Sequence, residues 1–501
     1  MTQSARTRRL SSGKLNAEAL YPPVGAGDAA IPAAGPLTCP GSGSRVHMVG
    51  VGGCGMRGAA AVLLRRGVRV SGSDLSDSAE LGALRAAGGE IHIGQGAENV
   101  PADCDLVVCS AAVKDVNPEV VAARERGCAV VKYSQLLGLL MADRLGVGVA
   151  GTHGKSTTTA MTAFVLRQAS MDPCFVIGAQ VEQLGGGSGV GDGPHFVVEA
   201  CEYDRSFLNL HPRYAAILNI EEDHLDYYKD LDEIIGAFQA FAGLVPESGV
   251  LVVNGEDGHA LRAVRRAVAR VETFGLSSDV NWRAELQGTV RGCWRFTVLR
   301  DGKPLTDVQL AIPGKHQVSN ALAAMALCLH GGVEPETIAK ALGDFKGAYR
   351  RLTWRGCVHG VNVVDDYAHH PTELQVTIRA AREYYRPRKM FVVFQPHQHS
   401  RTRFLLDDFA HSFQDADVVV VPDIYFVRDS QAERELVDAE DLVRRIGENG
   451  RDARYEGGFG QIVSQLCGEV EPGDLVVTMG AGDVWRVADG LLDCLTKRYG
   501  G

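Results

Sequence analysis

The chain has no CxxC pair, no long apolar run, no excess of positive charge and no apolar N-terminal core of signal-peptide length. Each absence removes a class. Without CxxC spacing, the twelve cysteines form no zinc-ribbon or thioredoxin-type motif. The closest two, Cys104 and Cys109, fit buried free thiols in a reducing cytosol better than a disulfide framework. No stretch reaches the roughly 18 apolar residues that a membrane helix needs. Lysine and arginine total 51 against 61 aspartates and glutamates, a net charge of −10, which argues against a dedicated nucleic-acid binder. Without a targeting segment, the expected location is the cytoplasm.

What is present is ordinary globular composition, with 45% hydrophobic and 22% charged residues over 501 positions. That length suggests about three domains. Residues 1–44 are rich in Ala, Gly, Pro and Ser without a sustained period, and read as a disordered leader. From Arg45 the pattern is strand, glycine turn, helix, repeated, which predicts parallel sheets covered on both faces. The fold class expected is α/β, with three doubly wound domains in series. The first, Rossmann-like, spans 45–143. The central one, built on a phosphate loop, spans 144–347 and includes a mostly β annex at 249–312. A second Rossmann-like domain covers 348–501.

Two glycine turns carry chemistry. Gly50-Val51-Gly52-Gly53-Cys54-Gly55 fits GxGxxG between a strand and a helix, with Asp74 closing the second strand. Glycines let the backbone approach a pyrophosphate, and the helix N-terminus offers amides. On that turn alone, an NAD-linked oxidoreductase and a plain tight turn both stay open. The second turn is more specific: Gly151-Thr152-His153-Gly154-Lys155-Ser156-Thr157 follows an apolar strand and opens a helix. A full GxxxxGK[ST] loop would need glycine where Val149 stands, so this is a shortened relative. Its amides can cradle phosphates, Lys155 can neutralise the outer ones and Ser156 can ligate Mg²⁺. Acidic constellations end the next two strands, making Glu199 and His224 candidate metal ligands beside Ser156.

GTHGKSTTT, EACEYDRSF, NIEEDHLDYY, PGKHQVSNALAA, GAYRRL, DDYAHHPTEL and FQPHQHSRTR occur in the order shown by the Mur ligase family, which the chain resembles over roughly residues 45–490. That family builds the peptide stem of peptidoglycan. HMVGVGGCGMRGAA is most similar to its branch that joins L-alanine to UDP-N-acetylmuramate. The resemblance implies ATP and Mg²⁺ as cofactors and an acyl phosphate intermediate, with no nicotinamide, nucleic acid or membrane. It implies that Gly50, Gly52, Gly53, Gly55, Met56, Asp74 and Ser110 meet the UDP sugar. Gly151, Thr152, His153, Gly154, Lys155, Ser156 and Thr157 would hold the phosphates. His316 and Asn320 would face the adenine, Arg351 the phosphates and Asp366 the ribose. Tyr367, His369, His397 and Arg401 would line the substrate side of the third domain. Lys155, Glu199, His224 and Arg351 would be catalytic.

Three positions depart from the family pattern: Cys201 where aspartate is usual, Gln317 where asparagine is common, and Gln398 where arginine is expected. The segment LDEIIGAFQAFAGLV contains no lysine, so no carbamylated lysine is expected. The nearest alternative is a recycling ligase that adds a tripeptide to the same UDP sugar. Met56 after the glycine turn speaks against it.

Overall fold

A computed structural model describes residues 38–427 and 429–499. Most of the expected leader, residues 1–37, lies outside them. Three sheets follow one another along the chain. The first has five parallel strands in the order Glu90–Ile93, Arg69–Asp74, Arg45–Val49, Leu106–Cys109, Ala129–Lys132. The chain reverses direction across that sheet at Arg45–Val49, so ligands are expected beyond its carboxyl end.

The central sheet has ten strands. Its middle is parallel: Arg270–Gly275, Val250–Asn254, Tyr214–Ile217, Leu145–Ala150, His195–Glu199 and Cys174–Val176. The expected annex at 249–312 is mostly β, and its strands continue the central sheet. Val250–Asn254 and Arg270–Gly275 extend the parallel sheet, and Trp282–Val290 pairs parallel with the latter before Cys293–Arg300 and Lys303–Gln309 turn antiparallel. The buried Trp282 ties this extension in, its indole N–H donating to Glu272 at 2.7 Å.

The third sheet orders six strands as Thr353–Val358, Val361–Asp366, Leu475–Met479, Met390–Phe394, Val418–Val421 and Asp452–Tyr455. All but the first pair run parallel. Val418–Val421 is four buried valines, as a strand covered on both faces requires. Two helices fill the centre of the middle domain: Lys155–Gln168, buried from Ser156 to Leu166, and His316–His330. One apolar cluster joins the first sheet to one face of the central sheet, through residues such as Met48, Leu137, Phe207 and Phe238. No helix among the described residues is long and apolar enough to cross a membrane.

The cysteines need a correction. Cys467 and Cys494 are paired as a disulfide, because the helices Phe459–Glu469 and Trp485–Tyr499 pack side by side. Cys201 and Cys357 are exposed rather than buried.

Candidate active site

Strand Leu145–Ala150 ends in a loop that turns into helix Lys155–Gln168. Gly154 has φ +80°, and a Cβ there would stand 2.6 Å from Asn320 Oδ1, so glycine is needed for both conformation and space. Asn219, from the end of the next strand, fixes the loop. Its side chain accepts from His153 N at 2.7 Å and donates to His153 O at 3.1 Å. The first-turn amides of a 14-residue helix therefore open toward the cleft, which is the chemistry of a phosphate site.

The Lys155 side chain is largely buried rather than extended into solvent. Its Nζ donates to Gly151 O (2.6 Å), Thr152 O (3.0 Å) and Glu202 Oε1 (2.9 Å), with 13% of the side chain exposed. Burial opposes its charge, but Glu202, with Cys201 and Glu199 adding to it, outweighs that and raises the ammonium above its usual range. Beside it, Ser156 Oγ donates to Glu199 Oε1 at 3.1 Å. His224 makes its charged contacts elsewhere: among the described residues its Nε2 lies 3.7 Å from both Glu202 and Asp223, and no ion pair joins it to Glu199. The expected metal set is therefore split into Ser156 with Glu199, and His224 with Glu202. Glu202 Oε2 is buried without a hydrogen-bond partner, an orphaned oxygen that suits a bound cation.

A cavity of about 230 Å³ lies between the central and third domains. It brings together His153, Gly154, Thr157, His316, Asn320, Arg351 and Asp366, seven residues expected to meet one nucleotide. Gln317 bridges the pair expected to face the adenine, with Nε2 2.9 Å from His316 Nε2 and Oε1 accepting from Asn320 at 2.9 Å. Burial lowers His316 to about 4, with Arg351 acting the same way, and keeps the ring neutral. Burial also lifts Asp366 to about 6, although it accepts from the backbone N–H of Leu352 and Ala368 at 2.6 and 2.7 Å. Tyr367 sits under the guanidinium groups of Arg350 and Arg351, and its ring meets His369 edge-on. His397 stacks on Tyr425 and lies 3.3 Å from Arg401.

The seam between the two domains is held by ionic contacts that the sequence reading did not single out. His153 Nε2 lies 3.4 Å from Glu221 and its Nδ1 3.3 Å from Glu373, which belongs to the third-domain helix Pro371–Tyr385. Thr372 Oγ1 donates to Glu221 at 2.6 Å, and His370 Nε2 reaches Glu222 O at 3.1 Å. Arg401 donates through Nε (3.2 Å) and Nη2 (2.7 Å) to Asp223 Oδ1. The only signals for Glu221, Asp223, Glu373 and His370 were their places inside the motifs NIEEDHLDYY and DDYAHHPTEL.

Burial opposes a charged His153, but Glu221 and Glu373 outweigh it and raise the ring to about 9 from 6.5. A group whose folded value is raised stabilises below its unfolded value and loses that contribution as pH rises. The window here runs from about pH 6.5 to about pH 9. Melting temperature is expected to fall across it more steeply in the wild type than in Glu373→Gln. Equal slopes in the two proteins would show that this contact does not hold the seam.

In the first domain, the glycine turn is set by hydrogen bonds from Gly50 N (2.9 Å) and Val51 N (3.0 Å) to Ser73 O. Gly52 N donates to Asp74 Oδ2 at 2.8 Å, so one oxygen of Asp74 supports the turn itself. Ser110 lies against Gly50, and Met56 is buried at the start of the following helix.

Together these features define a nucleotide-dependent α/β enzyme whose third domain closes over the phosphate loop of the second, with a further glycine turn in the first. The family models for "Mur ligase family, catalytic domain", "Mur ligase middle domain" and "Mur ligase, glutamate ligase domain" match residues 45–145, 149–328 and 350–482. A UDP-N-acetylmuramate–L-alanine ligase of Acetivibrio thermocellus is 43% identical over 89% of this chain and 94% of its own. The crystal structure of UDP-N-acetylmuramate–alanine ligase MurC from Thermotoga maritima is 28% identical, covering 91% of this chain and 99% of that one, with a TM-score of 0.75. A murein peptide ligase structure from Psychrobacter arcticus is 25% identical, covering 90% and 99%, with a TM-score of 0.67. The chain belongs to the Mur ligase family.

Proposed function

We infer that the chain ligates L-alanine to the lactyl carboxylate of UDP-N-acetylmuramate at the expense of ATP, in peptidoglycan precursor synthesis. The observation that carries this is a relative of that activity, 43% identical over 89% of the chain, combined with one cavity shared by the phosphate loop and the third domain. ATP would place its phosphates on Gly151–Thr157, its adenine beside His316 and Asn320, and its ribose near Asp366. Ser156 with Glu199, and His224 with Glu202 beside them, would hold Mg²⁺, which supplies positive charge to the phosphate oxygens when bound.

The residues then divide the work. The lactyl carboxylate attacks the γ-phosphorus, ADP leaves, and an acyl phosphate forms. The alanine amine attacks the acyl carbon and expels phosphate. Lys155 and Arg351 offset charge on the transferring oxygens, so catalysis is positioning and charge neutralisation. The seam at His153, Glu221 and Glu373 keeps water from the acyl phosphate. Arg401, His397 and His369 face the amino acid. Two of the three substrates, ATP and UDP-N-acetylmuramate, are nucleotides, and no described helix is long and apolar enough to cross a membrane, which supports work in the cytoplasm.

The test is ATP-dependent phosphate release with UDP-N-acetylmuramate and, in turn, L-alanine, L-serine, glycine and the murein tripeptide. L-alanine is expected to be the best acceptor. A preference for the tripeptide would make the chain a recycling ligase. UDP-N-acetylmuramate should also raise the melting temperature by mass action while NAD leaves it unchanged; the reverse would assign the first glycine turn to a dinucleotide.

A further inference from the structure

Glu119 is fully buried in the first domain and has no part in the chemistry above. It stands in the first turn of helix Pro118–Glu125, where the helix N-terminus favours an anion. Its carboxylate is shared by several segments of the carboxyl edge of the first sheet. Oε2 accepts from Ser73 Oγ at 2.6 Å and lies 3.4 Å from His47 Nε2. Oε1 accepts from Asn99 Nδ2 at 2.6 Å and from Gly96 N at 3.2 Å. His47 is buried on the first strand, and its other ring nitrogen meets Ser71 Oγ at 2.9 Å.

Ser73 is the decisive partner. Its carbonyl receives the amides of Gly50 and Val51, so the residue that Glu119 holds by its hydroxyl holds the glycine turn by its backbone. Asn99 and Gly96 belong to the loop after strand Glu90–Ile93, and Gly94 N in that loop bonds Asp74 O at 2.8 Å. Asp74 in turn accepts from Gly52 N. One buried carboxylate thus ties the glycine turn, the end of the second strand, the 94–99 loop and the helix at Pro118 into one frame. In an open parallel sheet, that frame is where the ligand lies.

We propose that Glu119 is the positioning residue of the UDP-sugar cradle: it touches no substrate, and it sets the glycine turn and the 94–99 loop at the spacing that the diphosphate and its nucleoside require. The proposal rests on the reading that this turn holds a UDP sugar. A cost falling on ground-state binding of one substrate separates positioning from general structural support.

Glu119→Gln keeps shape and loses the charge that fixes its donors. It is expected to raise KM for UDP-N-acetylmuramate by about tenfold or more, the size of a lost charged hydrogen bond. KM for ATP, KM for L-alanine and kcat at saturating UDP sugar should stay within about twofold. Titration calorimetry with UDP-N-acetylmuramate should show the same weakening. Ser73→Ala, which breaks only the link to the turn, should give a smaller rise in the same KM. A folded Glu119→Gln with unchanged UDP-sugar KM overturns the proposal, as does a loss spread equally over all three substrates. If Glu119→Gln does not fold, Ser73→Ala decides, and an unchanged KM there overturns it. Wild-type enzyme that fails to bind the UDP sugar would instead remove the reading of the turn itself.

Discussion

Lys155→Ala is expected to slow acyl phosphate formation on the order of 10²–10³ and also to lower the melting temperature, two effects that the double variant Lys155→Ala/Glu202→Gln separates. A preformed cation at the outer phosphates acts where charge develops, so its loss falls mainly on kcat. Removing one such contact commonly costs about 3–4 kcal/mol, on the order of 10²–10³ in rate. The stability cost comes from the contacts of the ammonium. It bonds two loop carbonyls and Glu202, and Glu202 is itself buried with one oxygen already unpartnered. Breaking a buried pair from one side is costlier than removing both charges. The double variant should therefore melt close to wild type while phosphate release remains slow. UDP-N-acetylmuramate binding should be unchanged in both, since its site belongs to another sheet. Release recovering together with melting in the double variant would make Lys155 a structural residue.

That outcome turns on a feature that the sequence does not display. GTHGKST at a strand–helix junction announces a phosphate loop, because glycine, lysine and serine at that junction answer needs of backbone approach, charge and metal ligation. It says nothing of where Nζ rests. The acceptor of that nitrogen, Glu202, sits on another strand end, and sequence distance hides the pair. The three sheets were legible for a related reason. Strands buried on both faces read as apolar runs, as Val418–Val421 and Met390–Phe394 do. Residues 249–312 were harder, because the first two strands of that stretch continue the parallel sheet and the last three form an antiparallel meander. Local periodicity is alike in both cases. The pairing of Cys467 with Cys494 depends on two helices packing side by side, which spacing alone does not reveal. At the seam, His153 and Arg401 were visible as motif residues, whereas Asp223 was visible only as one member of an acidic run and Glu373 only as part of a motif, because their partners lie on another domain.

Arg401→Ala is expected to uncouple the enzyme, so that phosphate is released without an equal yield of alanylated product. The reason lies in the Asp223–Arg401 pair, which joins the loop after the central-domain strand Tyr214–Ile217 to the third-domain helix His399–Phe404. Both side chains are less than a tenth exposed, at 8% and 9%. Burial would lift the Asp223 carboxyl, but Arg401 first, and His224, His369 and His370 with it, hold the group well below its usual range. Deleting the guanidinium leaves that carboxylate buried with His224 and neighbouring imidazoles in place of a fixed cation. Breaking such a pair from one side costs about 3–5 kcal/mol, enough to lower the closed population on the order of 10²–10⁴. An acyl phosphate formed in a loosely closed site meets water before the amine. Arg401→Lys should restore only part of the coupling, because an ammonium keeps the charge and loses the two-nitrogen grip. The pH dependence gives an independent check. A depressed carboxylate stabilises above its unfolded value and loses that contribution as pH falls, so wild type should show an acid limb setting in below about pH 3.8 that is weaker in Arg401→Ala, where only His224, His369 and His370 still face the carboxylate. The measurement pairs phosphate release with product formation at saturating L-alanine. One product per phosphate in Arg401→Ala, at an unchanged alanine KM, would show that closure is held elsewhere, and the contacts of His153 with Glu221 and Glu373 would then be the place to look.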